Sequence, residues 1–434
     1  MSHILRKFPN DPAKPRVVKA EGLYIHTEDG RKLLDMTAGT TTFGVLGYSH
    51  PEVLAAMQAQ MGKFCHIDYN TWVDPNLEEL AALLLSRAPR GLDKVYFPGN
   101  SGSEAMEAAM KLSYHVHHDS GKPGKTHYIA RLQSFHGATL HGISISELPI
   151  LAFYEPLLPD GRSKIAQHNP SLNRLPGESM EDYARRSAKE LEDKILEIGP
   201  DKVGAFIGET MLGSLVGDVP PAPGYWKLIR EVCDRYDVHL ILDEIYCGLG
   251  RSGRIYCCDW DGIVPDFVCI GKNLAAGHAP LSAVVTNHRV EDIIAKGQGR
   301  IQHGHTHQGY SLGVAAALAV QRIVHTDAML DHIQARGRQI VDTITTRLGG
   351  HPFFKEVRGR GLLQSFEYDC ADKNGFGMTL AKRMLDEHAT VINAKWHRVS
   401  FTPGYIITEA QLGRVLDDFV AVFESTASGW KTAG

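Results

Sequence analysis

The sequence predicts an α/β protein with a large domain, built on a mostly parallel sheet covered by helices, and a smaller α+β domain formed from both termini. The chain has 434 residues, of which 43% are hydrophobic, and this is enough for a large core. Several short runs are apolar at both odd and even positions, which is typical of parallel strands that are buried on both faces. These runs are residues 203–209, 238–244, 266–271 and 281–286. A segment with helical periodicity, 224–237, lies between two of these runs, and such alternation is typical of α/β proteins.

The two ends of the chain have a different pattern, which predicts the smaller domain. Residues 21–35 contain Glu28-Asp29-Gly30, a turn signal between two short strand-like runs. Near the other end, an amphipathic helix at 328–348 and a glycine-punctuated strand at 357–368 precede a closing helix at 408–426. This mixture of helices and strands differs from the regular alternation in the middle of the chain.

These patterns also predict where the domains begin and end. We expect residues 1–60 and 325–434 to form the small domain and residues 61–324 to form the large one. Residues 160–190 are polar and are interrupted by Pro and Gly, which favours a surface insertion in the large domain.

The composition excludes several classes of partner and site. The net charge is −4 and no block of Lys and Arg occurs, so we expect no binding to nucleic acid or to an acidic membrane surface. No apolar run reaches about 18 residues, and residues 1–15 lack the apolar core of a secretory signal. Seven cysteines without framework spacing favour reduced thiols in the cytoplasm. The histidine clusters at 115–118 and 303–307 lack the spacing of a zinc site, so no metal is predicted.

A glycine- and serine-rich turn precedes a strong run of helix formers in the first half of the chain. The turn contains Ser101, Gly102 and Ser103. Free backbone N–H groups at a helix N-terminus favour an anion such as phosphate, and glycine allows its close approach. The alternative is a plain helix cap, because Ser followed by Glu is common at that position.

Two apolar strands end in charged residues. Asp243 and Glu244 end the run 238–244, and Lys272 directly follows Gly271, the last residue of the run 266–271. Ligands of doubly wound sheets bind beyond the carboxyl ends of the strands, where Asp243 could meet a cationic ring nitrogen. A desolvated lysine there could act as a nucleophile. The alternatives are a carboxylate that caps the next turn and a lysine whose ammonium reaches solvent at the rim of the core.

The three features together match the needs of one cofactor. Pyridoxal phosphate needs a phosphate cradle, a partner for its ring nitrogen and a lysine amine for its aldehyde. The sequence places candidates for all three at strand or helix ends, so we expect this cofactor.

At these residues the chain resembles the class III aminotransferases, which belong to the fold-type I pyridoxal phosphate enzymes. The resemblance covers residues 20–425 and is carried by six motifs: GNSGSEAMEAAMKL, SFHGAT, LILDEIYCGLGRSG, CIGK, GHTHQGY and PGYIITEAQL.

The resemblance implies roles for individual residues. Lys272 would be the Schiff-base lysine and Asp243 the partner of the pyridine nitrogen, and both would be catalytic. The other implied cofactor contacts are Ser101, Gly102 and Ser103 at the phosphate, Phe135 against the ring, His136 beside it, and Thr306 at the phosphate of the neighbouring subunit. An obligate homodimer with shared sites is implied, and a tetramer is left open.

The chain departs from the family pattern where substrates bind. Many members have Glu-Pro where this chain has Glu209-Thr210, and several that take amino acids or keto acids have an arginine where Asn393 stands. Arg398 or Lys395 could replace that arginine, although a surface salt bridge is the alternative. The candidate substrate contacts are therefore Tyr24, Trp72, Glu209, Met211 and Arg398, with core packing as the alternative for Tyr24, Trp72 and Met211.

The function implied is a ping-pong transfer of an amino group from an amine or amino acid to a keto acid such as pyruvate or 2-oxoglutarate. A lyase, racemase or aminomutase would use the same lysine, aspartate and phosphate site, because pocket shape decides which bond breaks. A non-catalytic binder of the cofactor is a further alternative, although it would have no need of both Lys272 and Asp243.

Overall fold

The computed structural model describes residues 3–10, 14–147, 150–213 and 215–432. The strands are β1 (Val17–Glu21), β2 (Tyr24–Thr27), β3 (Lys32–Asp35), β4 (Lys94–Gly99), β5 (His127–Arg131), β6 (Arg162–Ile165), β7 (Val203–Glu209), β8 (His239–Asp243), β9 (Phe267–Ile270), β10 (Ser282–Thr286), β11 (Phe354–Arg360), β12 (Leu363–Tyr368), β13 (Thr390–Val391), β14 (Asn393–Lys395) and β15 (Arg398–Phe401).

The α-helices are α1 (Pro51–Met61), α2 (Pro75–Leu85), α3 (Gly102–Asp119), α4 (Leu140–Ser144), α5 (Ile150–Tyr154), α6 (Pro170–Asn173), α7 (Met180–Ile198), α8 (Tyr225–Arg235), α9 (His288–Lys296), α10 (Ser311–Val324), α11 (Asp327–Leu348), α12 (Lys373–His388) and α13 (Glu409–Ala427). No helix in these described ranges has the length and apolarity that a membrane span needs.

A seven-stranded sheet forms the centre of the molecule. Its order is β4-β10-β9-β8-β7-β5-β6, and the pairs from β9 through β6 are parallel. The mostly parallel α/β sheet predicted from the sequence is thereby confirmed. One strand differs from the prediction, since β10 runs antiparallel to both β4 and β9. Its apolar sequence reports burial on both faces, and such burial does not depend on strand direction.

Apolar side chains on both faces of this sheet explain why its strands lack alternation. Leu240 and Leu242 of β8 belong to one large apolar cluster, whereas Ile241 belongs to a second cluster. The second cluster includes apolar residues of α3, which packs against β4 and β7 to β10. Helices therefore cover both faces of the sheet, whereas the carboxyl ends of its parallel strands are not covered by them.

Two smaller sheets are built from the ends of the chain. The first has the order β1-β2-β3-β13, and its last strand lies parallel to β3 although it comes from the C-terminal part. The hairpin between β2 and β3 turns at Gly30, whose φ is 84°, as the turn signal predicts. The second sheet has the order β11-β12-β15-β14. The division into domains at residues 60 and 324 stays a prediction.

Two sequence predictions about individual segments are wrong. The glycine-punctuated strand at 357–368 is a hairpin of β11 and β12 that reverses at Gly361, whose φ is 55°. Residues 160–190 are not a surface insertion, because β6 is the edge strand of the central sheet and α7 begins at Met180. The β6 sequence is polar because one side of an edge strand is exposed. It therefore lacks the apolar run from which buried strands are predicted.

Candidate active site

The carboxyl ends of three neighbouring strands meet the N-terminus of α3 at one cavity. Glu209 ends β7, Asp243 ends β8, and Lys272 follows β9 after a single glycine. The cavity has a volume of about 200 Å³ and is lined by Gly102, Ser103, Phe135, His136, Gly137, Glu209, Met211, Asp243, Ile245, Tyr246 and Lys272. Eight of these residues are candidates from the sequence, and distant parts of the chain bring them together.

The N-terminus of α3 has the features of both interpretations of its glycine- and serine-rich turn. Ser101 is the helix cap, because the Glu104 N–H donates to its Oγ (3.3 Å). The Glu104 carboxylate accepts in return from the N–H groups of Asn100 (2.6 Å) and Ser101 (2.7 Å). Gly102 and Ser103 then occupy the first turn, where N–H groups have no acceptor within the helix. These two residues line the cavity, and Ser101 does not.

Glycine at position 102 leaves room for the side chain of Ile245. A Cβ atom on Gly102 would lie 2.5 Å from Cδ1 and 3.0 Å from Cγ2 of Ile245, which is closer than packed atoms allow. The Ser103 hydroxyl accepts the N–H of Ala138 (3.0 Å), and this bond joins the helix to the loop that carries Phe135 and His136. The first turn of α3 is therefore joined to this loop at the wall of the cavity.

Asp243 is held rigidly at the floor of the cavity. It is 6% exposed, its Oδ2 accepts from Nδ1 of His136 (2.9 Å), and its Oδ1 accepts from the N–H of Ile245 (3.1 Å). With Nδ1 donating, Nε2 of His136 is buried and has no hydrogen-bond partner within the described residues. A buried polar atom without a partner costs free energy, so the site fits a bound polar group such as pyridoxal phosphate.

Lys272 has an unusual backbone conformation at the edge of the same cavity. Its φ is 38°, a region that residues other than glycine rarely adopt. The two residues after Lys272 are held by Gln321 of α10, whose side-chain amide donates to the carbonyls of Asn273 (2.9 Å) and Leu274 (2.8 Å). The surrounding structure thus imposes strain of about 1–3 kcal/mol on the residue that carries the amine.

The environment of Lys272 favours the neutral amine. Burial lowers its pKa below the ordinary value, while the carboxylates of Asp243 and Glu209 oppose the shift. The Nζ atom lies 5.1 Å from the ring centroid of Tyr246. A lysine whose ammonium form is disfavoured is suited to nucleophilic attack and to proton transfer.

Tyr246 is a cavity residue that sequence reasoning missed. Its hydroxyl donates to Oδ1 of Asp218 (3.0 Å), and Oδ2 of the same carboxylate accepts from Ser365 (2.7 Å). Burial raises the pKa of Tyr246 well above its ordinary value. Its place three residues after Asp243 was the available signal, because the segment that leaves a strand end lines the same edge of the sheet.

Glu209 lies beside Asp243 in register, because β7 and β8 pair there. It is 8% exposed, and burial raises its pKa to about 7. Arg131 donates to the backbone carbonyl of Glu209 rather than to the carboxylate. The cavity therefore contains two acidic side chains in different environments, since Asp243 has close hydrogen-bond donors at both oxygens.

The remaining candidates divide between the cavity and other places. Phe135 lines the cavity and is 41% exposed, and Met211 lines it while being buried. Trp72 is 66% exposed and outside the cavity, and Thr306 lies in an exposed turn where its carbonyl accepts from Nε2 of His66 (3.0 Å). Tyr24, also outside, packs against the core with Lys32 over its ring.

Arg398 does not reach the cavity either. It is buried on β15, and it lines a separate cavity of about 480 Å³ together with Arg358 and Glu367. Within the described ranges, no group of three His, Cys, Asp or Glu side chains is arranged to hold a metal ion.

Comparison with known proteins gives one consistent family. The model of the family "Aminotransferase class-III" matches residues 9–423. A putrescine–pyruvate aminotransferase of Pseudomonas aeruginosa is 30% identical over 417 residues, which are 94% of this chain and 90% of that protein. A diaminobutyrate–2-oxoglutarate transaminase of Halomonas elongata is 33% identical over 389 residues, which are 87% and 81% of the two chains.

A solved structure extends this similarity to the fold. The omega transaminase of Pseudomonas jessenii in complex with PMP superposes with a TM-score of 0.91 at 29% identity, covering 98% of this chain and 97% of that one.

Proposed function

The chain belongs to the class III aminotransferase family and is a pyridoxal phosphate-dependent transaminase, and on this premise we propose that the cavity between β7, β8, β9 and α3 is its active site. The single observation that carries the proposal is the convergence of Lys272, Asp243 and the first turn of α3 on one cavity. When bound, the cofactor supplies an aldehyde that condenses with amines and a ring that accepts the electrons of a broken C–H bond.

Each part of the cavity has a task in holding the cofactor. The N–H groups of Gly102 and Ser103 bind the phosphate, since a helix N-terminus favours an anion. Asp243 binds the ring nitrogen and keeps it protonated, and His136 orients Asp243 through the 2.9 Å hydrogen bond. Phe135 packs against the ring face. Support for these roles comes from cavity lining and hydrogen bonding in this chain.

Lys272 has two tasks at one atom. Its Nζ would hold the cofactor through the aldehyde, and once a donor amine has taken that place Nζ would be free to accept a proton. Burial lowers the pKa of Lys272, which favours the neutral form that can take a proton from the donor carbon. The same Nζ would then return the proton, and a keto acid would be aminated by the reverse of these transfers.

The donor is a primary amine or an amino acid, and the acceptor is a keto acid. We infer that pyruvate and 2-oxoglutarate are the acceptors to test first, because the relatives from Pseudomonas aeruginosa and Halomonas elongata are named for them. The same names make diamines and diamino acids the first donors to test.

We also propose that the enzyme is a homodimer with shared sites in the cytoplasm. Thr306 lies in an exposed turn and does not line the cavity of its own chain, which is the placement expected of a residue that reaches a partner's site. The cytoplasm agrees with seven free cysteines, six of them buried.

A donor screen with Lys272→Ala as the reference tests the function. The holoenzyme should convert an amine and pyruvate or 2-oxoglutarate into alanine or glutamate, and Lys272→Ala should lose both turnover and the absorbance of the lysine-bound cofactor. Turnover that needs no keto acid would point instead to a lyase or racemase, and near-native turnover by Lys272→Ala would refute the assignment of the amine.

A further inference from the structure

The carboxylate of Glu209 is the one acidic group of the cavity that lacks a close partner at one oxygen. Its Oε2 is buried and has no hydrogen-bond partner within residues 3–10, 14–147, 150–213 and 215–432. The backbone N–H of Gly213 is its hydrogen-bond donor. By contrast, neighbouring Glu244 accepts from Thr210 (2.9 Å) and from the N–H groups of Cys257 (2.6 Å) and Cys258 (2.8 Å).

Apart from Lys272, the cationic side chains near Glu209 bind other groups. Arg131 donates to the Glu209 carbonyl, and His136 donates to Asp243. No Lys, Arg or His side chain in the described part of the chain forms an ion pair with the Glu209 carboxylate, as judged by a 4.0 Å limit. Arg398, which could have served a substrate carboxylate, lines a different cavity.

A buried carboxylate in this position favours a cationic ligand. Burial raises the pKa of Glu209 to about 7, and an ammonium group that pairs with the carboxylate would stabilise its charged form. The cavity walls beside Glu209 include Phe135, Met211 and Tyr246, which give apolar surface for a short carbon chain. A second carboxylate at the same place would be repelled.

We propose that Glu209 binds the distal ammonium group of the amino donor, so that the preferred donors are short diamines rather than amino acids with a distal carboxylate. This inference rests on the proposed function, because the other amine of the donor must react at Lys272. The structural basis is a residue that lines the cavity in which the donor would react and that has one buried carboxylate oxygen without a hydrogen-bond partner among the described residues.

Three donors with four carbon atoms each differ in the group at the distal end. Putrescine has a distal ammonium group, butylamine has a methyl group, and 4-aminobutyrate has a carboxylate. We would measure each with the holoenzyme in the donor half-reaction, without a keto acid, by the absorbance change of the cofactor. The quantity compared is the rate constant of the half-reaction divided by the dissociation constant of the donor. We expect it to be highest for putrescine, lower for butylamine and lowest for 4-aminobutyrate.

The Glu209→Gln variant keeps the size of the side chain and an acceptor for Gly213 but removes the charge. We expect the rate with putrescine to fall about 10- to 100-fold relative to butylamine, the loss typical of one charge-assisted hydrogen bond. Glu244→Gln is the matched control, because Glu244 is equally buried but does not line the cavity. It should leave the putrescine-to-butylamine ratio unchanged, whatever it does to stability.

A binding measurement gives a readout that does not depend on turnover. A fully N-methylated putrescine, whose tertiary amines cannot react, should raise the Tm of the wild-type holoenzyme more than N,N-dimethylbutylamine does. Glu209→Gln should remove that difference. An equal loss for all three donors, or a wild-type preference for 4-aminobutyrate, would overturn the role of Glu209. Failure of every amine with wild-type enzyme would instead overturn the proposed function.

Discussion

Gly102→Ala should weaken the binding of pyridoxal phosphate. The new Cβ would lie 2.5 Å from Cδ1 and 3.0 Å from Cγ2 of Ile245, and Ile245 is packed in the second apolar cluster. Such overpacking costs about 1–3 kcal/mol, so either Ile245 or the first turn of α3 must move. If the turn moves, its N–H groups leave the phosphate, and the Kd of the cofactor rises by about 5- to 150-fold.

The assay compares two ligands with the apoenzyme. Titration by absorbance or fluorescence should show the full loss for pyridoxal phosphate and a much smaller loss for pyridoxal, because pyridoxal has no phosphate to misplace. Ile245→Val removes Cδ1, the atom nearest to the new methyl group, and should restore part of the affinity in the double variant. Equal losses for both ligands, or no recovery in the double variant, would refute this account of Gly102.

Two further predictions concern charge and proton binding. Asp243→Asn should keep the cofactor bound, because the amide oxygen still accepts from His136. The variant should slow the donor half-reaction by about 10²–10⁴-fold. An unchanged single-turnover rate would exclude Asp243 as the partner of the ring nitrogen. His168 accepts the N–H of Ala222 (2.9 Å), and burial lowers its pKa to about 2, so the unfolded chain binds a proton there more readily. Stability from this residue is complete above about pH 6.5 and falls by about 1.4 kcal/mol per unit below it. Urea unfolding at several pH values should show this slope, and His168→Gln should flatten it, whereas equal slopes would contradict the assignment.

The parts of the fold that depend on burial could be predicted from the sequence, and those that depend on strand pairing could not. The run at 281–286 reveals that β10 is buried on both faces, but its antiparallel direction is set by its neighbours. The polar β6 gave no signal, because its pairing with β5 comes from backbone hydrogen bonds.

The same distinction holds at the site. Lys272, Asp243 and Gly102 could be proposed because each stands at the end of an apolar or helical run, which marks a fixed place in the fold. Tyr246 was missed because its partners, Asp218 and Ser365, are distant in sequence. The lack of a partner at Oε2 of Glu209 also depends on side-chain geometry, which no local pattern reports.

The parallel pairing of β3 with β13 has a consequence for synthesis of the chain. The N–H of Leu34 donates to Ala389 (2.8 Å), and that of Met36 donates to Val391 (3.0 Å). The N-terminal hairpin therefore leaves the ribosome with an open edge whose partner follows about 350 residues later. At about 5–20 residues per second the edge waits roughly 20–70 s, during which other strands could pair with it. This sheet is thus begun long before it can be completed.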